Sequence, residues 1–181
     1  MHTIFKLVPL TAAIALAACG GGDAACGKLE ANQICVKIGS GAPKTGASAH
    51  LGKDNENGAQ LAVNEINAAG GVKIGDKVAK LALVGEDDAG DPKQGPVVAQ
   101  KLVDAKVVGV VGHLNSGVSI PANAVYAKAG LVQISPSSTN PDYTLKGNKT
   151  PKGSVSSYRV VATDAQQGPA LGKYMLGKNA K

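Results

Sequence analysis

The chain has 181 residues, 44% of them hydrophobic and 18% charged, a composition typical of a globular fold rather than of a disordered chain. Only 3% are aromatic and none is Trp, so a core must be built from Val, Ile, Leu and Ala. The formal net charge is +6, but the lysines are scattered and not interleaved with aromatic residues, which argues against a nucleic-acid surface.

The first 18 residues have the pattern of an export signal. A short start with His2 and Lys6 precedes an apolar stretch over 7–18, which is shorter than the roughly 20 residues needed to span a bilayer. The stretch ends in Leu-Ala-Ala before Cys19, and three glycines follow. This order resembles the lipobox of bacterial lipoproteins, whose cysteine thiol is joined to diacylglycerol. An ordinary secretory signal with a nearby cysteine is the alternative.

Residues 19–35 are rich in Gly, Ala and polar residues and predict a tether from a membrane. One acyl chain anchors only marginally, so a lipidated Cys19 would need several chains to hold the protein at the surface. Cys26 and Cys35 remain, and their spacing fits no zinc pattern. In an oxidising compartment they could form a disulfide, and unpaired thiols are the other possibility.

Apolar runs and helical periodicities alternate along the rest of the chain. The predicted strands cover 36–41, 81–85, 107–111, 131–134 and 158–161. The predicted helices cover 54–69, 91–105, 119–129 and 164–177. Asp91 and Pro92 suit a helix start, and Pro121 is tolerable only in the first turn of its helix. This alternation predicts an α/β fold, a parallel sheet flanked by helices.

Ligands of open α/β sheets bind beyond the carboxyl ends of the strands, where polar loops follow each predicted strand. Ser116 lies where a loop enters a helix, and a helix N-terminus with added hydroxyl donors holds a carboxylate. Simple N-capping by Ser116 is the alternative. Ser137, Ser138 and Thr139 follow the next strand and could contact both ends of an amino acid. A turn made of its usual residues explains them equally.

Catalytic and metal sites are not supported by the motifs. Gly41 and Gly46 have the glycine spacing of a phosphate-binding loop, but Ala47 replaces the lysine that such a loop requires. His113 has no identifiable acid or nucleophile partner, which favours a structural role. Helix capping and solvation explain the carboxylates Glu86, Asp87, Asp88 and Asp91. We therefore predict neither a cofactor nor an enzyme activity.

Several ordered segments together resemble the branched-chain amino acid binding proteins of ABC transporters. They are Asn57-Gly58-Ala59, Ile66-Asn67-Ala68-Ala69-Gly70-Gly71, Asp87-Asp88-Ala89-Gly90-Asp91-Pro92-Lys93-Gln94, Val111-Gly112-His113 with Ser116, Ile134-Ser135-Pro136 with Ser138-Thr139-Asn140-Pro141, and Arg159, Asp164 and Gln167-Gly168-Pro169. In that family two α/β lobes close on the ligand. The resemblance therefore implies this mechanism here. It also implies a monomeric protein of the periplasm or cell surface that serves an ABC transporter permease.

The resemblance implies roles for single residues. Ser116 and Thr139 would bind the α-carboxylate of the ligand, and the Ser137 carbonyl and Thr139 would bind its α-ammonium. Leu51 falls where the family often has an aromatic residue packed on the ligand, so this chain departs from the pattern there. Some relatives have a disulfide between the positions that are Gly90 and Asn115 here, and that bridge is absent.

The matched part corresponds to the N-terminal portion of the family's fold. We expect residues 36–160 to form an incomplete N-terminal lobe and residues 161–181 to begin the hinge and second lobe, as in a truncated product. Weak binding or none would follow, because one lobe cannot enclose a ligand. An exported sensor of the same fold that binds an amide, urea or aromatic acid is the alternative function.

Overall fold

The computed structural model describes residues 24–178, in which strands and helices alternate. The strands of this part are β1 Gln33–Ala42, β2 Val72–Ile74, β3 Lys77–Asp87, β4 Val110–Gly112, β5 Gln133–Ser135 and β6 Ser157–Arg159. The helices are α1 Ala49–Ala68, α2 Gln94–Asp104, α3 Ser116–Lys128, α4 Asp142–Leu145 and α5 Asp164–Gly177. The predicted signal and the lipidation site Cys19 lie outside the described residues.

All the strands join one sheet in the order β2-β3-β1-β4-β5-β6. Neighbours from β3 to β6 pair in parallel, so their carboxyl ends share one edge of the sheet. The predicted α/β class is confirmed, with one addition. β2 pairs antiparallel with β3 at the outer edge, and Gly75, with φ of 58°, opens the tight loop between them. Positive φ at the first loop position favours glycine in such hairpins.

Helices cover both faces of the sheet. Val84 of β3 packs against the core beneath α2 and α3, whereas the next residue, Gly85, faces Glu56 of α1. Successive residues of a strand point to opposite faces, so α1 lies on the other side of the sheet from α2 and α3. The core between sheet, α2 and α3 consists of Val98, Ala99, Leu102, Val107, Val110, Ala122 and Tyr126. Full burial of one such aliphatic side chain contributes about 1.5–3 kcal/mol.

Helix α3 begins three residues earlier than predicted, at Ser116. Pro121 therefore lies inside the helix, and its predicted place in the first turn is wrong. A proline there leaves the carbonyl four residues back without its helical hydrogen bond. That carbonyl belongs to Gly117, which is exposed, so water can take the place of the missing N–H.

The amino-terminal end of the described chain is joined to the sheet by a disulfide. Cys26 and Cys35 pair, with their Cα atoms 5.7 Å apart, and Cys35 lies within β1. Strand β1 thus begins before the predicted start at residue 36. Within residues 24–178, no helix combines the length and apolar character required to cross a membrane.

Candidate ligand site

A cavity of about 560 Å³ opens at the carboxyl edge of the sheet. Helix α1, the loop from β4 to α3 and the loop from β5 to α4 line it. The lining residues are Leu51, Asp54, Asn55, Leu114, Asn115, Ser116, Ser137 and Thr139. Four of the five ligand residues predicted from the sequence therefore meet in one place, Leu51, Ser116, Ser137 and Thr139.

Ser116 is the first residue of α3, and Asn115 occupies the N-cap position without a side-chain capping bond. The first backbone N–H groups of a helix have no carbonyl partner within it and carry partial positive charge. The Ser116 hydroxyl accepts a hydrogen bond from the Asn140 N–H at 3.2 Å and thereby joins the two lining loops. Because Asn115 holds the N-cap position of α3, the structure does not give Ser116 the alternative role of N-cap.

The loop after β5 is held by hydrogen bonds from Ser135 at the end of the strand and from helix α1. The hydroxyl of Ser135 accepts the N–H groups of Ser137 at 3.2 Å and Ser138 at 2.9 Å. From α1, the Asn55 amide donates to the Ser137 hydroxyl at 2.8 Å. The Thr139 carbonyl accepts the N–H of Asp164 at 3.0 Å. Thr139 itself lines the cavity.

Ser138 does not line the cavity. It is completely buried, and its hydroxyl lies 2.7 Å from that of Ser119 and 3.3 Å from the carbonyl oxygens of His113 and Leu114. These contacts join the loop to α3 and to the end of β4. The structure therefore places Ser138 beneath the site, where it supports the lining residues.

Asp54, Asn55, Leu114 and Asn115 line the cavity but were not singled out from the sequence. Asp54 and Asn55 follow Leu51 by three and four residues, which places the three on one face of a helix. The prediction missed them because it began this helix at residue 54, which left Leu51 in a loop, whereas α1 begins at Ala49. Asp54 is the one ionisable residue among those that line the cavity.

Each carboxylate of the acidic segment has a protein partner. Asp87 accepts the Lys44 N–H at 2.7 Å, the Thr45 hydroxyl at 2.7 Å and the Ala89 N–H at 2.8 Å. Glu86 pairs with Lys101 at 3.1 Å, and Asp91 accepts the N–H of Lys93 at 2.9 Å. Nowhere in the described part of the chain do three potential metal ligands gather.

His113 has an acid partner that the sequence did not reveal. Its Nδ1 lies 2.6 Å from Oδ2 of Asp88, and neither side chain is exposed at all. The two residues belong to loops after different strands, so no local spacing connects them. The expectation of a structural rather than catalytic His113 agrees with its burial, since the ring does not line the cavity.

A second hollow, of about 360 Å³, lies at the opposite edge of the sheet. Lys28, Asn67 and Lys80 are among its lining residues. The Asn67 amide is already satisfied there, since it donates to the Leu81 carbonyl and accepts the Leu81 N–H, both at 2.8 Å. No converging set of free hydroxyl groups is found among the residues that line this hollow, so it lacks the features of a ligand site.

A mostly parallel sheet between helices, with hydroxyl-bearing loops around an open cavity at its carboxyl edge, matches one lobe of the periplasmic binding protein fold. The chain belongs to the periplasmic binding protein family, whose model matches residues 35–181. The resemblance to branched-chain amino acid binding proteins is confirmed by individual relatives.

Leu/Ile/Val-binding protein homolog 1 of Brucella abortus (strain 2308) is 40% identical over 181 residues, which cover 99% of this chain and 43% of that protein. The chain thus spans about two fifths of the length of the curated relatives it matches.

Solved structures agree with the fold. The branched-chain amino acid transporter substrate-binding protein of Streptococcus pneumoniae, in complex with isoleucine, matches with a TM-score of 0.62 and 35% identity over 73% of this chain and 35% of that one. An ABC transporter substrate-binding protein of Desulfitobacterium hafniense, in complex with Leu, matches with a TM-score of 0.62 and 34% identity over 80% of this chain and 39% of that one.

Proposed function

We propose that this chain provides one face of a site that captures a free amino acid with an aliphatic side chain. The α-carboxylate binds at the N-terminus of α3 through the hydroxyls of Ser116 and Thr139. The α-ammonium group binds the Ser137 carbonyl and the Thr139 hydroxyl. The ligand side chain packs beside Leu51. In this proposal the protein is a monomeric solute-binding component and no reaction occurs at the site.

The observation that carries the proposal is the meeting of Ser116, Ser137 and Thr139 in one cavity with Leu51. A helix N-terminus alone contributes about 0.3–1 kcal/mol to anion binding. Hydrogen bonds to charged groups contribute about 1.5–3 kcal/mol each, so the hydroxyls supply most of the attraction for a carboxylate.

The apolar part of the cavity supports an aliphatic ligand. Leu51 is 49% exposed, and Leu114 lines the same cavity. A ligand that covers both side chains removes apolar surface from water. Relatives named for Leu, Ile and Val, and solved structures that contain isoleucine or leucine, point to the same ligand class.

The proposal extends to where the protein works. Cys19 would be lipidated and would hold the protein at the outer side of a membrane, in the periplasm or at the cell surface. From there the ligand passes to the permease of an ABC transporter. An exported sensor that binds an amide, urea or aromatic acid remains the competing function, and its ligand class differs from that of the amino-acid proposal.

The test is an NMR titration of the chain with the twenty amino acids, acetamide, urea and 4-hydroxybenzoate, up to millimolar concentrations. We expect leucine, isoleucine or valine to shift the amide signals of Ser116 and Thr139. Thr139→Ala should weaken binding about tenfold to hundredfold, because it removes a hydrogen bond to a charged group.

Thr150→Ala is the matched control, because Thr150 carries the same side chain in a loop that does not line the cavity. It should bind as the unsubstituted chain does. Binding that survives Thr139→Ala, or shifts produced only by acetamide, urea or 4-hydroxybenzoate, would contradict the amino-acid proposal.

A further inference from the structure

We propose that His113 is a positioning residue for the cavity. Its buried ring, bound by Asp88 and Tyr126, fixes the main-chain carbonyl on which hydroxyls from the neighbouring elements converge. Through that carbonyl it holds both loops that carry the ligand-binding residues. The effect on affinity rests on the proposed function, whereas the effect on the loops does not.

The ring is bound at both nitrogens. Nδ1 lies 2.6 Å from Oδ2 of Asp88, and Nε2 lies 3.1 Å from the hydroxyl of Tyr126. In the tautomer with its proton on Nδ1, the ring donates to Asp88 and Nε2 accepts the Tyr126 hydroxyl. Burial raises the pKa of the Tyr126 phenol, which keeps this hydroxyl a donor. The other Asp88 oxygen accepts the Gly90 N–H at 2.8 Å.

The ring also packs against the main chain of β1. A Cβ atom added to Gly41 would lie 2.5 Å from Cε1 of His113, closer than such atoms approach one another. Glycine at 41 therefore leaves the room that the imidazole occupies. The ring is enclosed by the end of β1, by the Asp88 loop after β3 and by Tyr126 of α3.

The carbonyl oxygen of His113 connects this ring to the site. The hydroxyl of Ser135 donates to it at 2.7 Å, that of Ser119 at 3.2 Å and that of Ser138 at 3.3 Å. The same Ser135 hydroxyl accepts the N–H groups of Ser137 and Ser138. The positions of Ser137 and Thr139 therefore depend on an oxygen atom whose place is set by the His113 ring.

The second loop is connected even more directly, because Leu114, Asn115 and Ser116 follow His113 in the chain. A rotation of the His113 peptide would move the start of α3 and the loop after β5 together. The contacts of the ring and its carbonyl join the carboxyl ends of β1, β3, β4 and β5. This arrangement gives a role to a contact between His113 and Asp88 that is completely buried and does not line the cavity.

The test compares substitutions that separate the two ring contacts. His113→Asn keeps an N–H donor near the position of Nδ1, and His113→Leu keeps an apolar volume but loses both bonds. Leu102→Ala is the control, since Leu102 is a buried core residue that does not line the cavity and makes no hydrogen bond to His113 through its side chain. The measurement is amide hydrogen exchange by NMR at Ser137 and Ser138, followed by titration with leucine, isoleucine and valine.

We expect His113→Leu to raise the exchange rates of both amides about tenfold or more through local opening, and to weaken amino-acid binding by a similar factor. His113→Asn keeps the donor to Asp88 but loses the contact with Tyr126, so it should raise the two exchange rates only about threefold. Leu102→Ala should lower the melting temperature, yet leave exchange at the two amides and the affinity of the folded protein unchanged.

Unchanged exchange in His113→Leu, or the same local increase in Leu102→Ala, would overturn the positioning role. If His113→Leu does not fold, Tyr126→Phe decides, because it removes only the partner of Nε2. We expect about a threefold rise at the two amides in that variant, and no rise would count against the proposal. If no amino acid binds but exchange responds as expected, the proposed function fails while the positioning role stands.

Discussion

Asp87 shows how one carboxylate fixes the path into helix α1. Burial raises its pKa, but hydrogen bonds from the Thr45 hydroxyl and from the N–H groups of Lys44 and Ala89 outweigh that effect and leave the pKa below its ordinary value. Lys44 and Thr45 lie in the loop after β1, which leads to Leu51, whereas Ala89 lies in the loop after β3. The charged form of Asp87 therefore stabilises the approach to the cavity.

A lowered pKa makes folding stability depend on pH in a defined direction. The contribution of Asp87 is present above the pKa of the unfolded chain and is lost as the pH falls below about 4, toward the pKa of the folded state. Asp87→Asn should lower the free energy of unfolding at pH 7 by about 1 kcal/mol or less, because the site is partly solvated. It should also reduce the loss of stability between neutral pH and pH 3.

Urea unfolding at several pH values measures both effects. Asp104→Asn is the control, since Asp104 is an exposed carboxylate of α2 that accepts the Gln100 amide of the same helix at 2.8 Å. An Asp87→Asn variant whose stability falls with acid as steeply as that of the unsubstituted chain would show that Asp87 is not the group responsible.

At the scale of elements, Arg159 joins strand β6 to the loop after β5. Its guanidinium donates to the carbonyls of Ser138 at 2.6 Å, Asn140 at 2.8 Å and Pro141 at 3.2 Å, and to the Thr144 hydroxyl at 2.8 Å. It also lies 5.4 Å from the centre of the Tyr143 ring. One side chain thus satisfies the carbonyls on either side of Thr139.

Arg159→Lys should lower the free energy of unfolding by about 1–3 kcal/mol, because a single ammonium group cannot reach these separated acceptors. Chemical denaturation measures the change, and an NMR titration with leucine should show weaker binding in the same variant. Lys146→Gln serves as control, since the exposed Lys146–Asp142 pair contributes about 0.5 kcal/mol or less. Equal effects of the two substitutions would refute the role of Arg159.

Periodicity predicts the kind of element better than its limits. Helix α5 was predicted with the bounds Asp164–Gly177 that the structure has. Helix α1 begins at Ala49, before the predicted start at 54, because Gly52 weakens the helical signal. A Cβ at Gly52 would overlap the Pro43 carbonyl, so close packing requires the glycine that local propensity disfavours. Strand β2 was missed because its three residues are too few to establish a strand periodicity, and all of them are exposed.

The cavity was predictable where it follows directly from strand ends. Ser116, Ser137 and Thr139 come immediately after predicted strands, and parallel strands bring such loops together. The contacts that hold them are between residues distant in sequence, as in Asp88 with His113 or Asn55 with Ser137. No periodicity or spacing records such pairs, because they are set only when the strands take their order in the sheet.

At the scale of the whole molecule, the disulfide and the cavity lie at opposite edges of the sheet. Cys35 lies near the amino end of β1, where it pairs with Lys80 of β3, whereas Gly41 at the other end pairs with Gly112 beside the cavity loops. The disulfide from Cys26 closes a short loop at the amino edge. A change there reaches the cavity only along the length of the sheet.

Replacing both cysteines, Cys26→Ala with Cys35→Ala, should therefore destabilise the fold without altering the site. A loop with a sequence separation of 9 residues restricts the unfolded chain modestly, and the loss should be about 2–3 kcal/mol by chain-entropy arguments. Thermal and urea unfolding measure that loss. Titration with leucine at a temperature where the variant is fully folded should give the affinity of the unsubstituted chain. A weakened affinity in the folded variant would mean that the amino end of β1 is coupled to the cavity. The two edges of the sheet would then not be independent of each other.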